Sequence, residues 1–169
     1  MTDSLNEQFS RIYDQYIDKI YRFVYLKVSG QEIAEDITSK VFIKGWESFQ
    51  NKSETIKNPG AFLYQIARNA VVDHYREKGR TKEISTEMSP ETADPGTNAQ
   101  EKAILSSDIN TLKKSLQKLK KEHQDVIIWH YLDDMPIANI AQLIDKPEGT
   151  VRVMLHRGLK ELRDIVQES

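Results

Sequence analysis

The sequence predicts an all-α protein built as two small helical domains, joined by a flexible acidic linker, with the second domain a helix-turn-helix. Three observations carry that expectation. Apolar residues recur at three- and four-residue spacing along both flanks of the chain, and no segment shows sustained strand alternation. Only seven Gly and five Pro interrupt the 169 residues, of which 30% are charged. The composition also changes abruptly at EISTEMSPETADPGTNAQE, residues 83–101, where Pro90, Pro95 and Gly96 sit among Ser, Thr and acidic residues with few apolar anchors. That is linker composition, and a structureless loop of such length is uncommon inside a compact domain. The expected boundaries are 1–80, 81–99 and 100–169. With 38% apolar residues the chain can fill two modest cores.

The elements follow in order. Phe9, Ile12, Tyr13, Tyr16, Ile17, Ile20, Phe23 and Val24 mark one face of a first helix, and Gly30 is a suitable stop. Ile33, Ile37, Val41 and Phe42 mark a second, followed by a polar loop, Phe49–Lys57. Asn58-Pro59 opens a third, with Pro in the first turn where its missing N–H costs little. Phe62, Leu63, Ile66, Ala67, Ala70 and Val71 form its buried stripe, and Gly79 is expected to end it. Asn69, Asp73, Arg76 and Arg80, spaced four, three and four, fall on the opposite face. Asn can pair with a base edge, Arg can grip phosphate or guanine, and Asp73 can accept from a base amine or orient Arg76.

In the second half, Ile104, Leu105, Ile109, Leu112, Leu116 and Leu119 predict a long helix. Val126, Ile127, Ile128, Tyr131 and Leu132 predict a shorter one, ending in a turn at Asp133-Asp134. A short helix from Pro136 to Leu143/Ile144, a left-handed turn residue at Asp145 and a new helix opened by Pro147 complete the pattern. Ala141 is small where the two helices cross, and Ile140, Ile144, Val151 and Leu155 lock them. That spacing is the helix-turn-helix. Val151, Leu155, Leu159, Leu162 and Val166 point inward; Arg152, His156, Lys160 and Arg163 form an outward stripe flanked by Arg157. A recognition helix sets its N-terminal residues on base edges and its later cations on phosphate. Arg152, Val153 and His156 are therefore expected at bases, and Arg157 and Lys160 at the backbone. The plainer alternative is a solvated face ion-paired by Glu161 and Asp164.

Charge refines this picture. The formal net charge of −2 argues at first against a nucleic-acid binder. By segment, however, residues 51–82 carry seven Lys/Arg against three acids, residues 83–108 one against six, and residues 146–169 five against four. Two basic zones flank an acidic one. Other classes drop out. Without Cys there is no disulfide framework or thiol chemistry. The four His are scattered, Glu122-His123 lacks the second His of a zincin, and neither a phosphate loop nor G-x-S-x-G occurs. No enzyme, metal or cofactor is expected. The polar N-terminus and the lack of a long apolar run point to a cytoplasmic protein without membrane insertion. Most aromatics read as core, with Tyr64 and Tyr75 the candidates to reach nucleic acid.

Three blocks of the first half, IYDQYIDKIYRFVYLKV (12–28), AEDITSKVFIKGW (34–46) and NPGAFLYQIARNAVVDHYREKGR (58–80), together with EGTVRVMLHRGLKELR (148–163), resemble the extracytoplasmic-function (ECF) type of bacterial RNA polymerase sigma factor, of the sigma-70 family. The resemblance implies a division of labour. The first domain would dock on the clamp of the largest core RNA polymerase subunit, through Glu35 and Asp36, and open the −10 promoter element. Asn69, Asp73, Arg76 and Arg80 would contact −10 DNA, and Asn51, Lys52 and Ser53 in the preceding loop would hold a flipped base. The second domain would sit on the flap of the second large subunit and read the −35 element through Arg152, Val153, His156, Arg157 and Lys160. The resemblance also implies an anti-sigma factor as a partner. Two departures stand out: Ser39-Lys40 where Gln-Glu is common, and Val153-Met154 where Ser-Arg is common. A conventional helix-turn-helix regulator acting independently of polymerase, and a pure interaction module, are the alternatives.

Overall fold

In the computed structural model, which describes residues 4–84 and 109–168, every regular element among those residues is helical. The chain divides into two units, Met1–Pro95 and Gly96–Ser169. Residues 85–108, which hold most of the acidic linker together with Ile104 and Leu105, lie outside the described residues, while residues 81–84 are still helical.

Three helices pack against one another in the first unit: α1 (Leu5–Lys27), α2 (Gln31–Lys52) and α3 (Pro59–Ile84). The Ser4 hydroxyl caps α1 by accepting the Glu7 N–H at 3.2 Å. Gly30, at φ +112°, turns the chain into α2 in a conformation that side-chain-bearing residues rarely adopt. Asn58 Oδ1 accepts the Ala61 N–H at 3.1 Å and so caps the Pro-led start of α3. Ile20, Phe23 and Val24 of α1, Ile37, Val41 and Phe42 of α2, and Leu63, Ala67 and Val71 of α3 make the core. Phe9 lies against Phe42, Trp46 and Phe49 with ring centroids 5.2–6.5 Å apart, sealing the junction of α1 and α2.

Three expectations are corrected in this unit. Tyr64 does not reach outward: it is 1% exposed and meets Phe23 edge-to-face at 5.8 Å. Its neighbours Leu63 and Ala67 already define the buried stripe, and the ring goes with them. Tyr75 is half-buried, and its hydroxyl donates to the Lys27 carbonyl, pinning α3 to the end of α1. Gly79 does not end α3, which runs on to Ile84. A mid-helix Gly costs only about 1 kcal/mol, and no Pro follows before Pro90.

The second unit contains α4 (109–117), α5 (Lys121–Ile127, continued by a π-helical turn, Ile128–Leu132), α6 (Ile137–Ile144) and α7 (Glu148–Glu168). Leu119 falls in the bend after α4 rather than in the helix, yet it is buried. Leu116, Val126, Ile128, Trp129, Ile140, Val151 and Leu155 form the core. The turn at Asp133-Asp134 is present, with Asp134 at φ 54°, and the Met135 N–H closes it on the Trp129 carbonyl at 2.8 Å. Burial fades along α7: Val151 and Leu155 are buried, Leu159 and Leu162 half-buried, and Val166 is 54% exposed, against the expectation that it points inward.

Asp145 takes the left-handed conformation the sequence required, at φ 56° and ψ 52°, and the Lys146 N–H bonds to the Ala141 carbonyl at 3.0 Å. A non-Gly residue pays about 1–2 kcal/mol for that conformation, Asp less than most. Asp145→Gly is therefore expected to leave stability level or raise it by up to about 1 kcal/mol, and Asp145→Val to lower it by about 1–2 kcal/mol. Urea unfolding of both variants checks this; a Val variant as stable as the parent would mean the turn has moved.

Candidate nucleic-acid interface

The outer face of α3 gathers the residues read from the sequence. Asn69, Asp73 and Arg76 are all exposed, opposite the buried Leu63, Ala67 and Val71. Arg80 lies in α3, with its side chain outside the described residues. The Arg76 guanidinium stands 3.9 Å from Asp73 Oδ1, both side chains well exposed, so the pair orients Arg76 without tying it down. Val72, which the sequence pattern did not single out, stands exposed among them. An apolar side chain beside Asn and Arg gives such a face something to lay against a base.

The segment before α3 is more ordered than a loop. Asn51 and Lys52 are the last residues of α2, both exposed, and Ser53 begins a single 3₁₀ turn, Ser53–Thr55. Nothing before Ser53 breaks a helix, so α2 continues, and the Thr55 hydroxyl then closes the turn on the Lys52 carbonyl at 2.8 Å. A cleft of about 440 Å3 opens here between the start of α1 and this turn, with Leu5, Gln8 and Ile12 on one wall and Phe49, Ser53 and Ile56 on the other. Of the three expected residues only Ser53 lines it.

His74, on the flank of α3, is half-buried, and its Nε2 is enclosed with no hydrogen-bond partner among the described residues. Burial pushes its pKa below the ordinary value; Lys78 and Lys40 push the same way and Glu77 opposes them. The unfolded chain therefore binds a proton more readily than the folded one, so stability contributed here is present above about pH 6.5 and falls as pH drops below it. His74→Gln should flatten the acid limb of a stability–pH profile relative to the parent. Parallel profiles for parent and variant would contradict this.

On α2, Glu35 and Asp36 are both exposed, beside a surface groove of about 550 Å3 that also takes in Glu32, Ile33 and Ser39. Neither carboxylate is bare. Gln31 Nε2 donates to Glu35 at 2.9 Å, and Lys40 Nζ stands 3.3 Å from Asp36. Tyr21 of α1 borders this acidic face: burial and the Glu35 charge raise its phenol pKa. The sequence read Tyr21 only as packing.

On α7, Arg152, Val153, His156, Arg157, Lys160 and Arg163 are all exposed. Val153, 46% exposed, is an apolar residue held in the open within a cationic stripe. Glu148 stands 3.6 Å from Arg152 at the surface, a contact that water screens. Glu161 does not neutralise the stripe: its carboxylate turns inward to His123 of α5. That removes half of the plainer alternative. No grouping of His, Asp and Glu among the described residues could hold a metal ion.

Two helical units, one with an exposed Asn/Arg face and one with a cation-bearing helix-turn-helix, have the form of nucleic-acid-binding domains. Residues 12–81 match the family described as Sigma-70 region 2 and residues 109–162 that described as Sigma-70, region 4; the chain belongs to the sigma-70 family of RNA polymerase sigma factors, in its ECF group. Relatives include the ECF RNA polymerase sigma factor BldN of Streptomyces coelicolor, 26% identical over 96% of this chain and 61% of its own length. The ECF sigma factor SigW of Bacillus subtilis is 28% identical over 93% of this chain and 88% of its own. The chain thus spans somewhat less than two thirds of the first relative and most of the second. Among solved structures, the sigma factor RpoE in complex with the anti-sigma factor NepR from Bartonella quintana has the same fold, with TM-score 0.76 and 22% identity over 95% of this chain and 98% of the other.

Proposed function

We propose that the protein directs core RNA polymerase to particular promoters and opens them, acting by binding and not by chemical catalysis. Residues 1–80 serve as region 2 and residues 100–169 as region 4, with 81–99 the connection between them. On this reading Asn69, Asp73, Arg76 and Arg80 contact the −10 element. The cleft beside Ser53 is of the size range that admits a small planar ligand, and it is suited to an unstacked base. Arg152, Val153 and His156 meet −35 base edges while Arg157 and Lys160 meet phosphate. Glu35 and Asp36 face the clamp of the largest polymerase subunit, and the second unit meets the flap.

The observation that supports this most is the α7 stripe: three cations and an imidazole kept exposed on a helix whose other face is buried, with the nearest inward acid engaged elsewhere. The solved relative bound to NepR suggests a regulator of the anti-sigma kind for this chain as well. No helix among the described residues is long and apolar enough to cross a membrane. The near-neutral total charge fits weak binding of DNA by the free protein. The test is transcription: purified protein and core polymerase should give promoter-specific run-off transcripts from a random promoter library. A protein that yields no transcript but alone footprints a palindrome is instead a conventional regulator.

A further inference from the structure

We propose that His123 and Glu161 act as a positioning pair that fixes the rotation of α7, and with it the aim of the residues offered to the −35 element. This rests on the reading of α7 as the DNA-contacting helix. The pair joins two helices through residues 38 apart in sequence: His123 Nδ1 of α5 donates to Glu161 Oε1 of α7. The imidazole is 8% exposed, so water competes poorly for its side of the bond, while the carboxylate, 35% exposed, keeps one edge open to solvent. A charge-assisted bond in such surroundings is directional and strong compared with an apolar contact.

The backbone beside it is fitted just as closely. A Cβ placed on Gly158 would stand 2.7 Å from Ile127 Cδ1 and 3.2 Å from His123 Cβ, so α5 and α7 lie close enough here that any larger residue would have to push Ile127 and His123 aside. The same histidine therefore touches α7 twice, its Cβ beside Gly158 and its ring on Glu161. Gly158 fixes how near α7 lies; the hydrogen bond fixes how it is turned. Val151 and Leu155 bury apolar surface, a non-directional contribution that holds α7 without the directionality of a hydrogen bond.

Recognition needs that specification. His156 lies about a turn and a half before Glu161, and Arg152 roughly one turn further. Side chains that read a ligand must be held within about 0.5 Å and 10–20° of their working geometry by groups behind them. Rotation of α7 would carry Arg152, Val153 and His156 together across the base edges. Neither His123 nor Glu161 touches DNA on this arrangement; both act through the helix.

The test uses full-length protein with core polymerase on a library-selected promoter and on the same promoter with a scrambled −35 element. Discrimination is the ratio of the two affinities. Contacting pairs couple strongly, so His123→Ala and Glu161→Ala are each expected to cut discrimination about fivefold or more, and the double variant no further than either alone. His123→Asn, whose amide N–H lies near the position of Nδ1, should restore most of it. Core affinity and binding to the scrambled promoter should stay level. If the variants weaken both promoters equally, or if Asn fails to rescue a folded protein, the pair is merely stabilising and the proposal falls. Arg152→Ala separates the two readings. Discrimination lost with Arg152→Ala but retained with His123→Ala overturns the pair alone, whereas discrimination retained with Arg152→Ala overturns the assignment of α7 and the pair with it.

Discussion

Arg76→Ala is expected to cut promoter opening by about ten- to a hundredfold while leaving affinity for core polymerase unchanged. A guanidinium contact to a base or phosphate is worth about 1–3 kcal/mol, and among the described residues Arg76 is paired only with Asp73, at 3.9 Å in open solvent. Removing it therefore costs the fold little, because the side chain covers none of the core. Asn69→Ala should act in the same direction and more weakly, having no charge to lose. Permanganate reactivity of −10 thymines reports opening, and co-elution with core polymerase reports docking. If both variants instead lose core polymerase, the α3 face is a docking surface, and the −10 contacts lie elsewhere in the first unit.

Trp129→Ala is expected to cost the second unit about 3–5 kcal/mol. Trp129 is fully buried at the junction of α5 and its π-helical turn, with Ile128 beside it equally enclosed. The unit is small, and small domains hold only a few kcal/mol in reserve. The variant should therefore be largely unfolded in that unit at physiological temperature. Denaturant unfolding followed by circular dichroism checks this, and −35-dependent transcription should fail in parallel. A variant that unfolds within about 1 kcal/mol of the parent would mean that the cavity collapses, and that Trp129 fills space rather than organising it.

The helix-turn-helix was legible because its signals are local. Pro136 and Pro147 restrict backbone torsions at their own positions and Asp145 tolerates the left-handed one, and the structure places α6, the left-handed turn and α7 accordingly. The buried stripes of α2 and α3 were legible through their periodicity. What failed failed where local signals compete. Gly79 is a helix stop only if something better than helix follows it, and nothing does. Tyr64 and Tyr75 carry hydroxyls that suggest exposure, but one ring is swallowed by the α1–α3 contact and the other hydroxyl finds the end of α1. Asn51 and Lys52 are polar enough for a loop and equally at home in a last helical turn. Of the candidate site residues with described side chains, those on α2, α3 and α7 fall on exposed surface as expected. The His123–Glu161 contact was beyond reading from sequence, since it depends on how two helices separated by a third come together.

The Lys40–Asp36 pair has a bearing on competition. On the proposed docking of Asp36 against polymerase, a carboxylate that arrives already engaged by Lys40 must exchange partners, so the ionic part of the encounter is a swap and not a net gain. Exposed pairs of this spacing are worth only about 0.3–0.5 kcal/mol, so the swap is quick and the handicap slight. A rival with an unengaged acid at the same place would nonetheless hold a modest equilibrium advantage for a limited supply of polymerase. This protein's share of that supply would then depend more on its own abundance, and on release from any inhibitor, than on the grip of its acidic helix.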